Sequence, residues 1–173
     1  MTAVELFGRL PASASDAIFS DLLSSDKPGY KALTQSLATR RKLRPVFVDR
    51  KLRPDRHVWI AGELHRASNA DLAEHVLQTW ILTTHRELVC AFLDALEIPH
   101  DGKGMLDTLP AEPPVEAQRA AVETLLASYP RDAVIVYLHL FNSMDIAGWQ
   151  GLRGLLEGDS RLDPAAEAPL ISP

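Results

Sequence analysis

The chain contains 173 residues, of which 46% are hydrophobic and 24% are charged, and its net charge is −5. A chain of this size buries about 70% of its unfolded surface, so it needs neither a metal ion nor a disulfide to fold. Its single cysteine, Cys90, excludes an intrachain disulfide and favours a cytoplasmic location. The N-terminus lacks a signal-peptide pattern and the longest apolar run is too short to cross a bilayer, so neither secretion nor membrane association is expected.

The first third of the chain predicts two helices, because its apolar residues recur at helical spacing between turn residues. Residues 15–16, Ser and Asp, are typical N-capping residues and predict the start of the first helix. Residues 27–29, Lys-Pro-Gly, end it. An apolar stripe over 30–38 then predicts a second helix that ends before Pro45. Residues 46–48, Val-Phe-Val, are predicted to be extended.

The middle of the chain predicts three further helices. Pro54 suits the first turn of one of them. Residues 70–82 predict the next, whose buried side consists of Leu72, Ala73, Val76, Leu77, Trp80 and Ile81. Thr84 and Glu87 match a capping box, which predicts a new helix or a kink from about 84 to 97.

The last third contains one ambiguous element. A helix from Pro113–Pro114 to about Ser128 precedes the run AVIVYLHLF at 133–141, which suits either a buried strand or a central helix. No other segment offers this run a partner strand, and a lone strand cannot satisfy its backbone. A central helix over about 132–142 is therefore predicted, followed by an amphipathic helix over 146–157.

These elements predict an all-α fold, a compact bundle of six to eight helices in a single domain over residues 1–158. Residues 159–173 contain three prolines and few apolar side chains. They are predicted to form an irregular, flexible tail.

The residues that often carry chemistry do not form a recognisable catalytic or metal-binding pattern. There are six histidines, namely His57, His65, His75, His85, His100 and His139, but no HExxH or CxxC spacing. Cys90 has no paired base in the sequence, and HDGKG at 100–104 lacks phosphate-loop spacing and predicts a turn. No catalytic, cofactor-binding or metal-binding residue is therefore assigned. A pocket that uses His85, His100 or His139, in an enzyme or a small-ligand-binding protein, stays open as an alternative.

A basic segment, residues 40–56, stands out against this background. The pentapeptide Arg-Lys-Leu-Arg-Pro at 41–45 recurs at 50–54, and the segment holds eight of the 18 Lys and Arg for a local charge of +6. Residues 57–173 sum to −10. Cations at a helix end and a proline at a helix start explain part of each copy. The other cations either pair with acidic helices of the same chain or bind an external partner.

The expected role is non-enzymatic, that of a protein-binding or adaptor module that uses this segment. The candidate partner-binding residues are Arg41, Arg44, Arg50, Lys51, Arg53 and Arg56. Nucleic-acid binding through residues 40–56 is the alternative, although Phe47 is the only aromatic residue within the segment. The sequence predicts neither the identity of a partner nor an oligomeric state.

Overall fold

The structure, a computed structural model, describes residues 1–104, 106 and 108–166. Within these ranges it contains ten α-helices, two 3₁₀ turns and no β-strand, which confirms the predicted all-α class. The helices are α1 (Ala3–Arg9), α2 (Ala12–Ser25), α3 (Lys27–Arg40), α4 (Pro45–Asp49), α5 (Arg53–Leu64), α6 (Ala70–Thr84), α7 (Arg86–Ala95), α8 (Val115–Ser128), α9 (Arg131–Asn142) and α10 (Gln150–Gly158). The 3₁₀ turns are Ala67–Asn69 and Ser160–Leu162. Ten helices exceed the predicted six to eight, because short helices such as α1 and α4 leave no clear apolar stripe.

The chain divides into two compact units, and the boundary between them lies inside α6. The N-terminal unit is Thr2–Trp80, and the C-terminal unit begins at Ile81. In the sequence, residues 2–80 carry twelve Lys and Arg against nine Asp and Glu (+3), whereas residues 81–173 carry six against fourteen (−8). The single domain expected over 1–158 stays a prediction.

In the N-terminal unit, α2 packs against α3 and α5, and α1 packs against α5. The core side chains include Leu6, Phe7, Ile18, Phe19, Leu22, Leu33, Leu37, Ile60 and Leu64. Prolines occupy the first turns of α3, α4 and α5. Backbone N–H groups in a first turn have no acceptor within the helix, so a proline there costs no hydrogen bond. The helix start predicted at Pro54 is therefore confirmed.

Three local predictions in this unit are wrong. Residues 46–48 are helical rather than extended, because Pro45 presets the φ angle of a first helical turn. The helix α2 begins at Ala12 instead of residues 15–16. Residues 27–29 form the first turn of α3 and do not end α2, which stops at Ser25; the Asp26 side chain caps α3 by accepting a hydrogen bond from the Gly29 N–H at 2.9 Å.

In the C-terminal unit, α9 is the central helix. The ambiguous run at 133–141 lies within this helix, as predicted, and every residue from Ala133 to His139 is buried. Tyr137 and Phe141 of α9 form an aromatic cluster with Phe92 of α7 and with Trp149, with ring centroids 4.8 to 6.5 Å apart. α10 packs against α8 and α9, and α7 packs against α8.

The break between α6 and α7 lies where the sequence predicts it, but the capping box does not form. α6 continues through Thr84, so His85 is the N-cap of α7 and makes no capping hydrogen bond with its side chain. A threonine inside the preceding helix cannot serve as the N-cap of the next one.

The segment after α10 differs from the expected tail. Ser160–Leu162 forms a 3₁₀ turn in which Leu162 is fully buried. Arg131 donates to the backbone carbonyls of Arg161, Asp163 and Ala166. Pro164 is also buried, and the Arg161 guanidinium pairs with Glu123 of α8. Residues 159–166 are thus held by long-range contacts, which leave no periodic signal in the sequence. The remainder of the predicted tail, 167–173, lies outside the described residues.

Candidate functional site

Most of the basic segment is exposed on the surface of the N-terminal unit. It runs from the end of α3 through α4 into the first turn of α5. α3 ends with Lys42 at φ +55°, and the Leu43 N–H donates to the Ala38 carbonyl at 2.8 Å, which is a Schellman motif. In α4 only Val48 is buried. One side chain therefore anchors α4, and its other side chains face solvent.

Two cations of the segment form ion pairs within the unit. Arg40 forms a bidentate pair with Asp71, at 2.7 and 2.9 Å, and its guanidinium lowers the pKa of the Asp71 carboxyl to about 2. Arg41 lies 3.3 Å from the buried Glu63 carboxylate. Arg41 therefore links the C-terminal end of α3 to α5, and Arg40 links it to the first turn of α6.

Arg53 and Arg56 make hydrogen bonds within the N-terminal unit. Arg53 donates to the hydroxyl of Ser20 on α2. Arg56 donates to the Asp49 and Lys51 carbonyls at 2.7 and 3.0 Å, which satisfies acceptors at and just beyond the C-terminus of α4. Burial raises the pKa of the neighbouring Tyr30 hydroxyl, and the Arg56 charge partly opposes this shift.

The other four cations, Lys42, Arg44, Arg50 and Lys51, are exposed. Their side chains make no hydrogen bond or ion pair with any residue that the structure describes. The six candidate partner-binding residues therefore fall into two groups. Arg41, Arg53 and Arg56 are engaged within the unit, whereas Arg44, Arg50 and Lys51 are available to a partner.

Large apolar side chains are also exposed within the basic segment and just after it. Leu43, Val46, Phe47, Leu52 and Val58 make up five of the nine exposed large hydrophobic residues in the described chain, and Phe47 and Leu52 are 58% and 74% exposed. Val46 and Arg50 are four residues apart along α4 and its C-cap, so they share one side, away from Val48. Sequence reasoning missed these apolar residues. The leucine repeated in both pentapeptide copies was the available signal.

We call the combination the basic–apolar surface. It consists of Lys42, Leu43, Arg44, Val46, Phe47, Arg50, Lys51 and Leu52. Cations and large apolar groups alternate along this stretch. The surface suits a ligand that offers negative charge and apolar side chains together.

The histidines singled out by the sequence occupy separate positions. α7, which spans about 15 Å, separates His85 at its N-cap from the turn that contains His100. His139 is buried in α9. An open cleft of about 510 Å³, formed by residues 83–88 and Tyr129, includes His85 but neither of the other two. The described residues contain no group of three or more His, Cys, Asp or Glu side chains arranged to hold a metal ion.

Two of the remaining polar features are structural. His57 Nδ1 lies 2.6 Å from Asp16 Oδ1, and the His57 ring is buried against Phe19 and Tyr30. In HDGKG, Gly102 and Gly104 have φ angles of +76° and +77°, so this stretch is a turn, as predicted.

Comparison with known proteins gives no family, since no family model, curated protein or solved structure matches this chain. Among the described residues, no helix is both long enough and apolar enough to cross a lipid bilayer. The basic–apolar surface is therefore the feature of the described chain that points most directly to a function.

Proposed function

We propose that this protein is a cytoplasmic, non-enzymatic interaction module whose basic–apolar surface binds an acidic segment of a protein partner. One observation carries the proposal: four cations without an intramolecular partner among the described residues alternate with four exposed large apolar side chains in one short stretch. The single cysteine supports the cytoplasmic location.

The apolar side chains favour a protein partner. Contiguous apolar area on a monomer commonly marks an interaction site, because burying it against a partner removes it from water. Phe47 and Leu52 provide bulky anchors that are exposed to solvent. Arg44, Arg50 and Lys51 supply the charge that attracts an acidic segment and fixes its register.

Nucleic acid is the second candidate, and the available cations favour it because phosphate contacts dominate such binding. However, α4 has only five residues, which is short for a helix that reads a groove. Phe47 is also the single aromatic side chain of the surface, whereas single-strand binding commonly stacks several bases.

Binding of defined, fluorescein-labelled probes tests the proposal. The first probe is a sixteen-residue peptide of Glu interleaved with Leu and Trp, and the second has Ser in place of the apolar residues. Single-stranded DNA, single-stranded RNA and vesicles containing phosphatidylserine complete the set. We expect the acidic–apolar peptide to bind best, and both Phe47→Ser and Arg50→Glu to weaken its binding roughly tenfold, the size of a moderate interface hot spot.

Two matched variants serve as controls. Lys31→Glu makes the same type of charge change on an exposed residue of α3, and Val115→Ser removes an exposed apolar side chain in the C-terminal unit. Both should keep full affinity. The proposal fails if the acidic–apolar peptide does not bind. It also fails if binding is strongest for nucleic acid or for vesicles, or if Phe47→Ser leaves peptide affinity unchanged.

A further inference from the structure

A second group of exposed apolar residues lies in the C-terminal unit, in the loop between α9 and α10. Met144 is 45% exposed and Ile146 is fully exposed. We call residues 143–149 the apolar loop. With the basic–apolar surface, it accounts for most of the large exposed hydrophobic side chains in the described chain.

Hydrogen bonds fix the conformation of the apolar loop. Asn142 Oδ1 accepts from the Trp149 N–H at 2.6 Å, and Asp145 Oδ1 accepts from the Ala147 N–H at 3.0 Å. Arg153 donates to the Ala147 carbonyl at 2.7 Å, so its guanidinium is already engaged. The loop holds Ile146 outward before any partner is present, and docking would therefore cost little ordering entropy.

The electrostatic character of the apolar loop is opposite to that of the basic–apolar surface. Its only ionisable side chain is the exposed Asp145, and the loop follows the C-terminus of α9, where a helix carries partial negative charge. The unit that contains the loop sums to −8, whereas the unit that contains the basic–apolar surface sums to +3. Each surface therefore offers apolar groups together with charge that the other lacks.

We infer that the partner of the basic–apolar surface is a second copy of this chain, which docks through its apolar loop. This inference rests on the proposed function. Met144 and Ile146 of one copy would cover exposed apolar side chains such as Phe47 and Leu52 of the next copy. Asp145 would meet the cations between them.

Charge decides which surfaces meet. Two basic–apolar surfaces facing each other would place like charges together, which is unfavourable. The contact is therefore heterologous, and each copy has one surface of each type free for a further copy. A loop of seven residues makes a small interface, so we expect weak association that requires a high protein concentration.

Complementation between two variants tests this inference. The surface variant, Phe47→Ser with Arg50→Glu, keeps the apolar loop. The loop variant, Asp145→Asn with Ile146→Ser, keeps the basic–apolar surface and retains an oxygen acceptor for the Ala147 N–H. In sedimentation velocity the wild-type protein should associate progressively as its concentration rises. Each variant alone should stay monomeric, and an equimolar mixture should form a one-to-one dimer and nothing larger, since one complementary pair of surfaces remains.

The outcomes separate this inference from the proposed function. A wild-type protein that stays monomeric at its highest soluble concentration, or a variant mixture that stays monomeric, overturns self-association. If the acidic–apolar peptide still binds in that case, the proposed function stands with another protein as the partner. If the peptide does not bind either, both fail. Lys31→Glu should associate like the wild type, and thermal unfolding verifies that every variant is folded.

Discussion

At the residue scale, two helices end in Schellman motifs that lack the usual glycine. Lys42 after α3 and Glu97 after α7 both have φ +55°, a left-handed conformation that costs a side-chain-bearing residue about 1–2 kcal/mol. In each motif, the next N–H donates back to the helix, from Leu43 to Ala38 and from Ile98 to Leu93. The surrounding hydrogen bonds therefore hold both residues in a conformation that glycine would adopt more easily.

We expect Glu97→Gly to stabilise the protein by about 0.5–1 kcal/mol, because relief of the positive φ outweighs the extra backbone entropy of glycine. Urea denaturation measures the change. Glu74→Gly, at an exposed position inside α6, should instead destabilise the protein by about 1 kcal/mol. An equal loss of stability in both variants would contradict the assigned conformation of residue 97.

The Arg40–Asp71 pair predicts a pH dependence. Because Arg40 lowers the pKa of Asp71 to about 2, below the unfolded value of about 3.9, the pair stabilises the folded state above pH 4 and loses this contribution as the pH falls towards 2. Carbon-detected NMR should find the Asp71 carboxyl still largely ionised at pH 3. Arg40→Gln should move its titration towards the unfolded value, and Arg9→Gln should leave it unchanged. Titration of wild-type Asp71 near the unfolded value would rule the pair out in solution.

At the element scale, two helical glycines have opposite surroundings. A methyl group on Gly62 in α5 would meet nothing within 4 Å. A methyl group on Gly8 in α1 would lie 2.2 Å from Cε1 of His65. The Nδ1 atom of His65 forms a hydrogen bond with the Val4 carbonyl at 3.0 Å. The absence of a side chain at Gly8 therefore allows the close approach of α1 to the end of α5.

These surroundings predict opposite effects of the same substitution. Gly62→Ala should raise the free energy of unfolding by about 0.5–1 kcal/mol, the usual helix preference for alanine. Gly8→Ala should lower it, because His65 must move and lose its backbone contact. Thermal unfolding compares the two variants directly. Equal stabilisation in both would show that α1 does not approach His65 closely.

The accuracy of prediction from sequence also depends on the element. The helices α6 and α9 were predicted correctly because their apolar patterns extend over many residues. The pattern is periodic in α6 and nearly continuous in α9. The helix α4 was missed because five residues show no period, and its valines favoured an extended prediction. The sequence also does not predict which individual cations form contacts within the chain. Arg53 bonds Ser20 and Arg40 bonds Asp71, contacts that span 33 and 31 residues.

At the scale of the whole molecule, α6 is continuous across the boundary between the two units. Unfolding either unit would expose part of the same helix, and a helix of fifteen residues has little stability without its packing. We therefore expect one cooperative thermal transition with equal calorimetric and van't Hoff enthalpies. Two resolved transitions would instead show that the units unfold separately, against the single domain predicted from the sequence.

The division of charge between the units has a practical consequence for handling the protein. With an isoelectric point near 5.6, the chain should pass through a sulfonate column at neutral pH if its charge were evenly spread. The four exposed cations of the basic–apolar surface should nevertheless bind the sulfonate groups of that resin. The acidic residues 81–173 should bind a quaternary-amine column. Retention by both chromatographic media, with Arg50→Glu eluting earlier from the first, would reveal this uneven charge before any partner is identified.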